Sequence, residues 1–186
     1  MAEITQTRTT AAEFAQLPET TQPTELINGE IVVSPSPRAL HQKVVFELAK
    51  RIEAAAGKGE VLIAPMDVYL DSDNVVQPDV FWVTGEDSLC KLGEDDYWHG
   101  APDLIVEVIS PGSTRTDKVT KFELYEKHGV VEYWLADPEA QTLEVWVRTG
   151  EDKETYTRQG VYTNSDSFTS VLLASKTLSL KGIFPE

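Results

Sequence analysis

The sequence predicts an α/β fold: a mixed β-sheet flanked by helices, with an added β-hairpin near the N-terminus. Three observations predict it. The run Leu104-Ile105-Val106-Glu107-Val108-Ile109 is apolar on both faces, as in a strand enclosed between layers. Helical patterns precede and follow it, after "SPSPR" and after "SPGST". Strands and helices then alternate along the chain, behind a hairpin signal.

The elements follow in order. "ELINGEIVV" (25–33) sets Asn28-Gly29 between two apolar-alternating arms, the strongest short-range mark of a tight hairpin. Ser36-Pro37 fits a helix N-cap with proline in the first turn. From there to Gly57, Leu40, Val44, Leu48 and Ile52 form one stripe with Val45 and Ala49 beside it. Three strands are expected next, over 60–70 (bent at Pro65), 79–84 and 103–110. A second helix should open at Ser113 or Thr114 and stop at His128-Gly129, glycine being the usual C-terminal stop. Strands are expected at 131–137 and 143–148 around Asp137-Pro138, with short strands in the tail. Residues 1–20 read as a poorly ordered arm, and 21–186 as one domain.

The chain has 186 residues, 41% of them hydrophobic and 25% charged, which suits a core of that size. The single Cys90 excludes an internal disulfide and a multi-cysteine zinc site. No run approaches a membrane span, and residues 1–20 lack the apolar centre of a signal peptide. These features point to a soluble cytoplasmic protein, in a reducing compartment and without a membrane partner. The net charge of −15 argues against broad adhesion to nucleic acid, whose affinity comes largely from neutralised phosphates. Arg38, Lys43, Arg115 and Lys118 are the basic residues placed to line an approach for phosphates.

Glu107 is the anomaly, because a buried carboxylate without a partner costs several kcal/mol. Asp79 opens the preceding strand, and two neighbouring strands bring such acids to one point, where they suit a hard divalent cation. The plainer alternative has Asp79 capping its strand and Glu107 pairing with a lysine or arginine. Lys121 shares a helical arc with Phe122, Leu124 and Tyr125, while Glu123, Glu126 and Lys127 face the other way. Val119 does not fit that arc. Lys121 either places an ammonium at the same point or snorkels to solvent. On the first reading, methionine at 121 should keep the fold, and glutamine at 107 should stabilise it. His41, among Val44, Val45 and Leu48, suits a hydrogen-bonded packing position better than catalysis. Glu30 suits a solvated strand. "GKGE" (57–60) is no phosphate-cradling loop, and Ser110, Ser113 and His99 form no nucleophile elbow.

"ELINGEIVVSPSPRALHQ", "VQPDVFWV" and "PDLIVEVISPGSTRTDKVTKFELYEKHGVVEYWLADP", in this order, resemble the Uma-type family of nucleases. The resemblance implies the PD-(D/E)XK restriction-endonuclease-like fold and endonuclease activity: hydrolysis of DNA phosphodiesters with Mg²⁺, for which Mn²⁺ substitutes. On it, Asp79 matches the PD acid and Glu107 the second acid, both metal ligands. Ile109 stands where the superfamily has its lysine, and Lys121 matches the helix position to which this family moves it. Glu30 and His41 match auxiliary positions. Cutting both strands of a duplex is most simply done by two sites, hence the expectation of a two-fold homodimer. The competing expectation is a non-catalytic nucleic-acid-binding or assembly protein that retains the nuclease fold.

Overall fold

Every residue of the strand Leu104–Val108 is buried, and the fold is arranged to cover its two faces. The computed structural model describes residues 8–18, 20–110, 116–149, 154–173 and 176–184, without the side chains of 116–118. The N-terminal segment carries a short helix, α1 (Ala11–Phe14), closed by a reciprocal Thr10–Glu13 capping box. Ala11 of that helix is buried against Leu26 and Val75. The expected hairpin follows as β1 (Thr24–Ile27) and β2 (Glu30–Val33). Asn28 and Gly29 both take positive φ, 52° and 78°, which a two-residue turn of this hand requires.

Helix α2 (Ala39–Ala56) starts two residues later than Ser36-Pro37 predicts. Arg38 is its N-cap, with no side-chain capping bond, and left-handed Gly57 ends it. Its buried stripe is His41, Val44, Val45, Leu48, Ile52 and Ala55, while Leu40 is exposed. The single bent strand expected over 60–70 is two strands, β3 (Glu60–Ile63) and β4 (Val68–Asp71), which belong to different sheets. Next come β5 (Asn74–Val76), β6 (Val80–Val83), the two-residue strands β7 (Lys91–Leu92) and β8 (Trp98–His99), and β9 (Leu104–Val108). The proposed caps Ser113 and Thr114 lie outside the described residues. Residues Thr116–Lys121 form a π-helical turn that runs into α3 (Phe122–His128), stopped at left-handed Gly129. The rest comprises β10 (Glu132–Asp137), β11 (Thr142–Thr149), β12 (Thr155–Thr163), β13 (Ser167–Thr169) and β14 (Thr177–Ser179).

Two six-stranded sheets result, ordered β12-β11-β10-β9-β6-β3 and β2-β1-β5-β4-β8-β7, with β13-β14 as a separate pair. Both are mixed. The β9–β10 pairing is parallel in the first sheet and the β4–β8 pairing in the second, the others being antiparallel. Alternation along β9 sends Val106 and Val108 into a core shared with α2 and the C-terminal segment. Ile105 joins the opposite core, with Leu124 and Tyr125 of α3 and with Val68 and Val76 of the second sheet. The N-terminal hairpin is thus part of a second sheet that closes one side of the first. Among the described residues, no helix is long and apolar enough to cross a membrane.

Candidate active site

The antiparallel register of β6 and β9 pairs Val80 with Val106; Asp79 is the residue just before β6, and Glu107 the residue after Val106 on β9. Asp79 is tied to β9 beside Glu107, because Val108 N–H donates to Asp79 Oδ2 at 2.7 Å. The same oxygen meets His41 Nε2 from α2 at 3.2 Å. His41 therefore does more than pack on an apolar stripe: it contacts the Asp79 carboxylate.

Glu107 is 3% exposed, and it does not bear its charge alone. Lys121 Nζ donates to its Oε1 at 3.0 Å, and the Tyr125 hydroxyl donates to the same oxygen at 2.6 Å. Lys121, 5% exposed, also reaches Glu25 Oε1 on β1 at 2.9 Å. The ammonium thus does not snorkel. The lysine that the plainer reading required as partner for Glu107 is the same lysine that the catalytic reading placed beside it. The π-helical turn ends at Lys121 and α3 continues it, so Lys121 and Tyr125 lie on one helix face, four residues apart. Local π geometry is a frequent mark of functional sites.

Glu25 was invisible to sequence reasoning, although its signature matches that of Glu107: an acid in the apolar strand "ELI", buried to 5%. Gln77 N–H holds its Oε1 at 2.7 Å, and the Gln77 side-chain amide donates to Asp67 Oδ1 at 2.7 Å. Burial, with Glu25 nearby, pushes the Asp67 carboxyl above its ordinary value despite that bond. Burial also raises the Tyr125 phenol well above its ordinary range, with the Glu107 charge reinforcing it, so Tyr125 stays a donor. Asp67 and Gln77 line an open cleft of about 450 Å³ with Pro65, Met66, Asp95, Asp96 and Tyr97.

Other predicted residues stand apart. Glu30 is exposed on β2 and makes no side-chain hydrogen bond or ion pair among the described residues. Arg38 is exposed at the start of α2, one turn before His41. Lys43 is exposed too, but two residues from His41 it points to the far side of the helix. Arg115 and the Lys118 side chain lie outside the described residues.

No group of three or more His, Cys, Asp or Glu is gathered for a metal among the described residues. A Mg²⁺ ion needs fewer, since it commonly takes one or two carboxylates and fills its shell with water and substrate phosphate. Asp79 suits this. Its Oδ1 accepts no hydrogen bond among the described residues, and the side chain is 17% exposed, so a hard oxygen donor is within reach of solvent. Asp79 therefore offers a donor that fits such an ion, whereas the Glu107 carboxylate already accepts bonds from Lys121 and Tyr125.

The comparisons with known proteins agree with this architecture. The chain superposes with a TM-score of 0.75 on the crystal structure of "a putative nuclease belonging to DUF820" from Anabaena variabilis ATCC 29413. The superposition covers 94% of this chain and 97% of that one, at 24% identity, and shows the shared fold. An "uncharacterized protein", sll1609 of Synechocystis sp., is 28% identical over 147 residues, covering 76% of this chain and 82% of that protein. The family model described as "Uma2: Putative restriction endonuclease" matches residues 11–181, and the chain belongs to that family.

Proposed function

We propose that this protein is a metal-dependent endonuclease that hydrolyses DNA phosphodiester bonds. One observation carries the reading: Glu107 is buried with Lys121 on its carboxylate at 3.0 Å, and Asp79 is bonded to the next residue along, Val108 N–H, at 2.7 Å. Family membership supports it. Asp79 and Glu107 hold the divalent cation, Mg²⁺ or Mn²⁺. Bound there, such an ion polarises a phosphoryl oxygen and lowers the pKa of an attacking water. Lys121 stabilises the negative charge that develops on the phosphate. His41 keeps Asp79 in place, and Arg38 meets the phosphate backbone from the start of α2. Two copies acting together would cut both strands of a duplex.

A second reading, a nucleic-acid-binding or assembly protein that keeps the fold without turnover, is favoured by one observation. The Lys121 ammonium already sits between two carboxylates, a self-neutralised arrangement that needs no ion. Plasmid DNA and single- and double-stranded oligonucleotides of DNA and RNA, incubated with Mg²⁺ or Mn²⁺, separate the two. Cleavage of DNA that a chelator abolishes supports the endonuclease. Binding without cleavage in any metal supports the second reading.

A further inference from the structure

Tyr125 and Lys121 grip the same oxygen of Glu107 from the same helix, yet they are unlike donors. Lys121 carries its ammonium on a flexible four-carbon stem and has a second partner, Glu25, at 2.9 Å. In the proposed reaction it turns towards the phosphate. Tyr125 is fully buried, 0% exposed, with its ring against Tyr133 at a centroid distance of 5.4 Å. Its ring has only two torsions, and packing fixes both. It cannot follow the lysine, and its hydroxyl stays on Glu107 Oε1 at 2.6 Å. A hydrogen bond to one named oxygen restrains the carboxylate, which can accept at either of its two oxygens.

From this we infer that Tyr125 is a positioning residue: it holds the Glu107 carboxylate in its metal-binding orientation when Lys121 leaves it for the phosphate. The inference rests on the metal-dependent reading above. Partners of this kind behind a ligating group typically change metal affinity by about 10- to 100-fold.

The test is Mn²⁺ affinity, measured by isothermal titration in the absence of any nucleic acid. The proteins are wild type, Tyr125→Phe, Glu107→Gln and the double variant, each shown to be folded by near-ultraviolet circular dichroism. Tyr125→Phe keeps the ring and removes only the hydroxyl, and it should weaken Mn²⁺ binding by about 10-fold. In the Glu107→Gln background the same change should leave the residual affinity unaltered, because the carboxylate it positions is gone. Should Tyr125→Phe not fold, Tyr125→Met fills the space without a hydroxyl and should show the same loss. Wild-type affinity in a folded Tyr125 variant overturns the inference and leaves the metal-dependent reading standing. An equal loss in both backgrounds also overturns it, because Tyr125 would then act on something other than Glu107. Absence of Mn²⁺ binding by wild type overturns the metal-dependent reading itself, and this inference with it.

Discussion

Lys121→Met should destabilise the metal-free protein by about 3–5 kcal/mol, the cost of removing one partner from a buried ion pair. The magnitude comes from what is left behind. Lys121 lies at 2.9 Å from Glu25 and 3.0 Å from Glu107, with all three side chains 4–7% exposed. At an effective dielectric of about 20, each contact has a gross attraction of roughly 6 kcal/mol, most of it offset by desolvation of the three charges. Methionine fills the volume but strands two carboxylates whose cost of burial is already committed. From the sequence alone the same substitution looks mild, since methionine suits an apolar helix face. Urea unfolding in chelator at neutral pH measures the difference. Glu25→Gln added to Lys121→Met should recover part of the loss by removing one stranded charge, so the two changes should be non-additive. A loss below about 1 kcal/mol, within the range of surface ion pairs, would refute the reasoning: Lys121 would then be a solvated side chain. For the same reason Glu107→Gln should not stabilise the metal-free fold, contrary to what an unpaired buried acid implies.

Two further outcomes are expected. Mn²⁺ at about 100 times its dissociation constant should stabilise wild type by about 2.7 kcal/mol, and Asp79→Ala should abolish the thermal shift; an equal shift in both proteins removes Asp79 from the site. Glu132 is fully buried on β10, and its carboxylate accepts bonds from Ser170 Oγ, Trp134 Nε1 and the Val171 and Leu172 N–H groups. Burial outweighs these bonds and raises its carboxyl above the unfolded value of 4.5. The folded state then binds the proton more tightly, so this contribution is fully present below pH 4.5 and is lost as the pH rises through the raised value. The stability of wild type relative to Glu132→Gln should therefore fall as the pH rises above 4.5, and a constant difference would contradict the assignment.

What the sequence revealed and what it hid have the same physical origin. Long periodic segments were legible: the α2 stripe, the Asn28-Gly29 hairpin and the buried run of β9 each carry their own local signal. The second sheet was not, because β7 and β8 are two residues long and β5 three. So few residues hold no periodicity, and the strands exist through long-range pairing. The start of α2 was misplaced because Ser36-Pro37 is a strong local cap, whereas the actual cap, Arg38, has no side-chain bond to announce it. In the proposed site, Asp79, Glu107 and Lys121 stand out in the sequence as charges in or beside apolar elements. Glu25 carried the same mark but gains meaning only from the approach of β1 to the Lys121 turn, 96 positions along the chain by their residue numbers. Tyr125 looked like core material, and only the 2.6 Å contact with Glu107 separates it from other buried tyrosines.

The most direct test of the central claim is single-turnover cleavage of DNA at saturating Mg²⁺ by wild type, Lys121→Met and Lys127→Met. It is run at a temperature where circular dichroism shows all three folded. Lys127 is exposed on α3 whereas Lys121 is buried, so its loss controls for a general fall in positive charge. The account predicts that Lys121→Met cuts about 100-fold more slowly or worse, the scale of losing one electrostatic stabiliser, while Lys127→Met stays close to wild type. Equal rates for wild type and Lys121→Met would contradict it, and would leave the buried Glu25–Lys121–Glu107 network as a structural element alone.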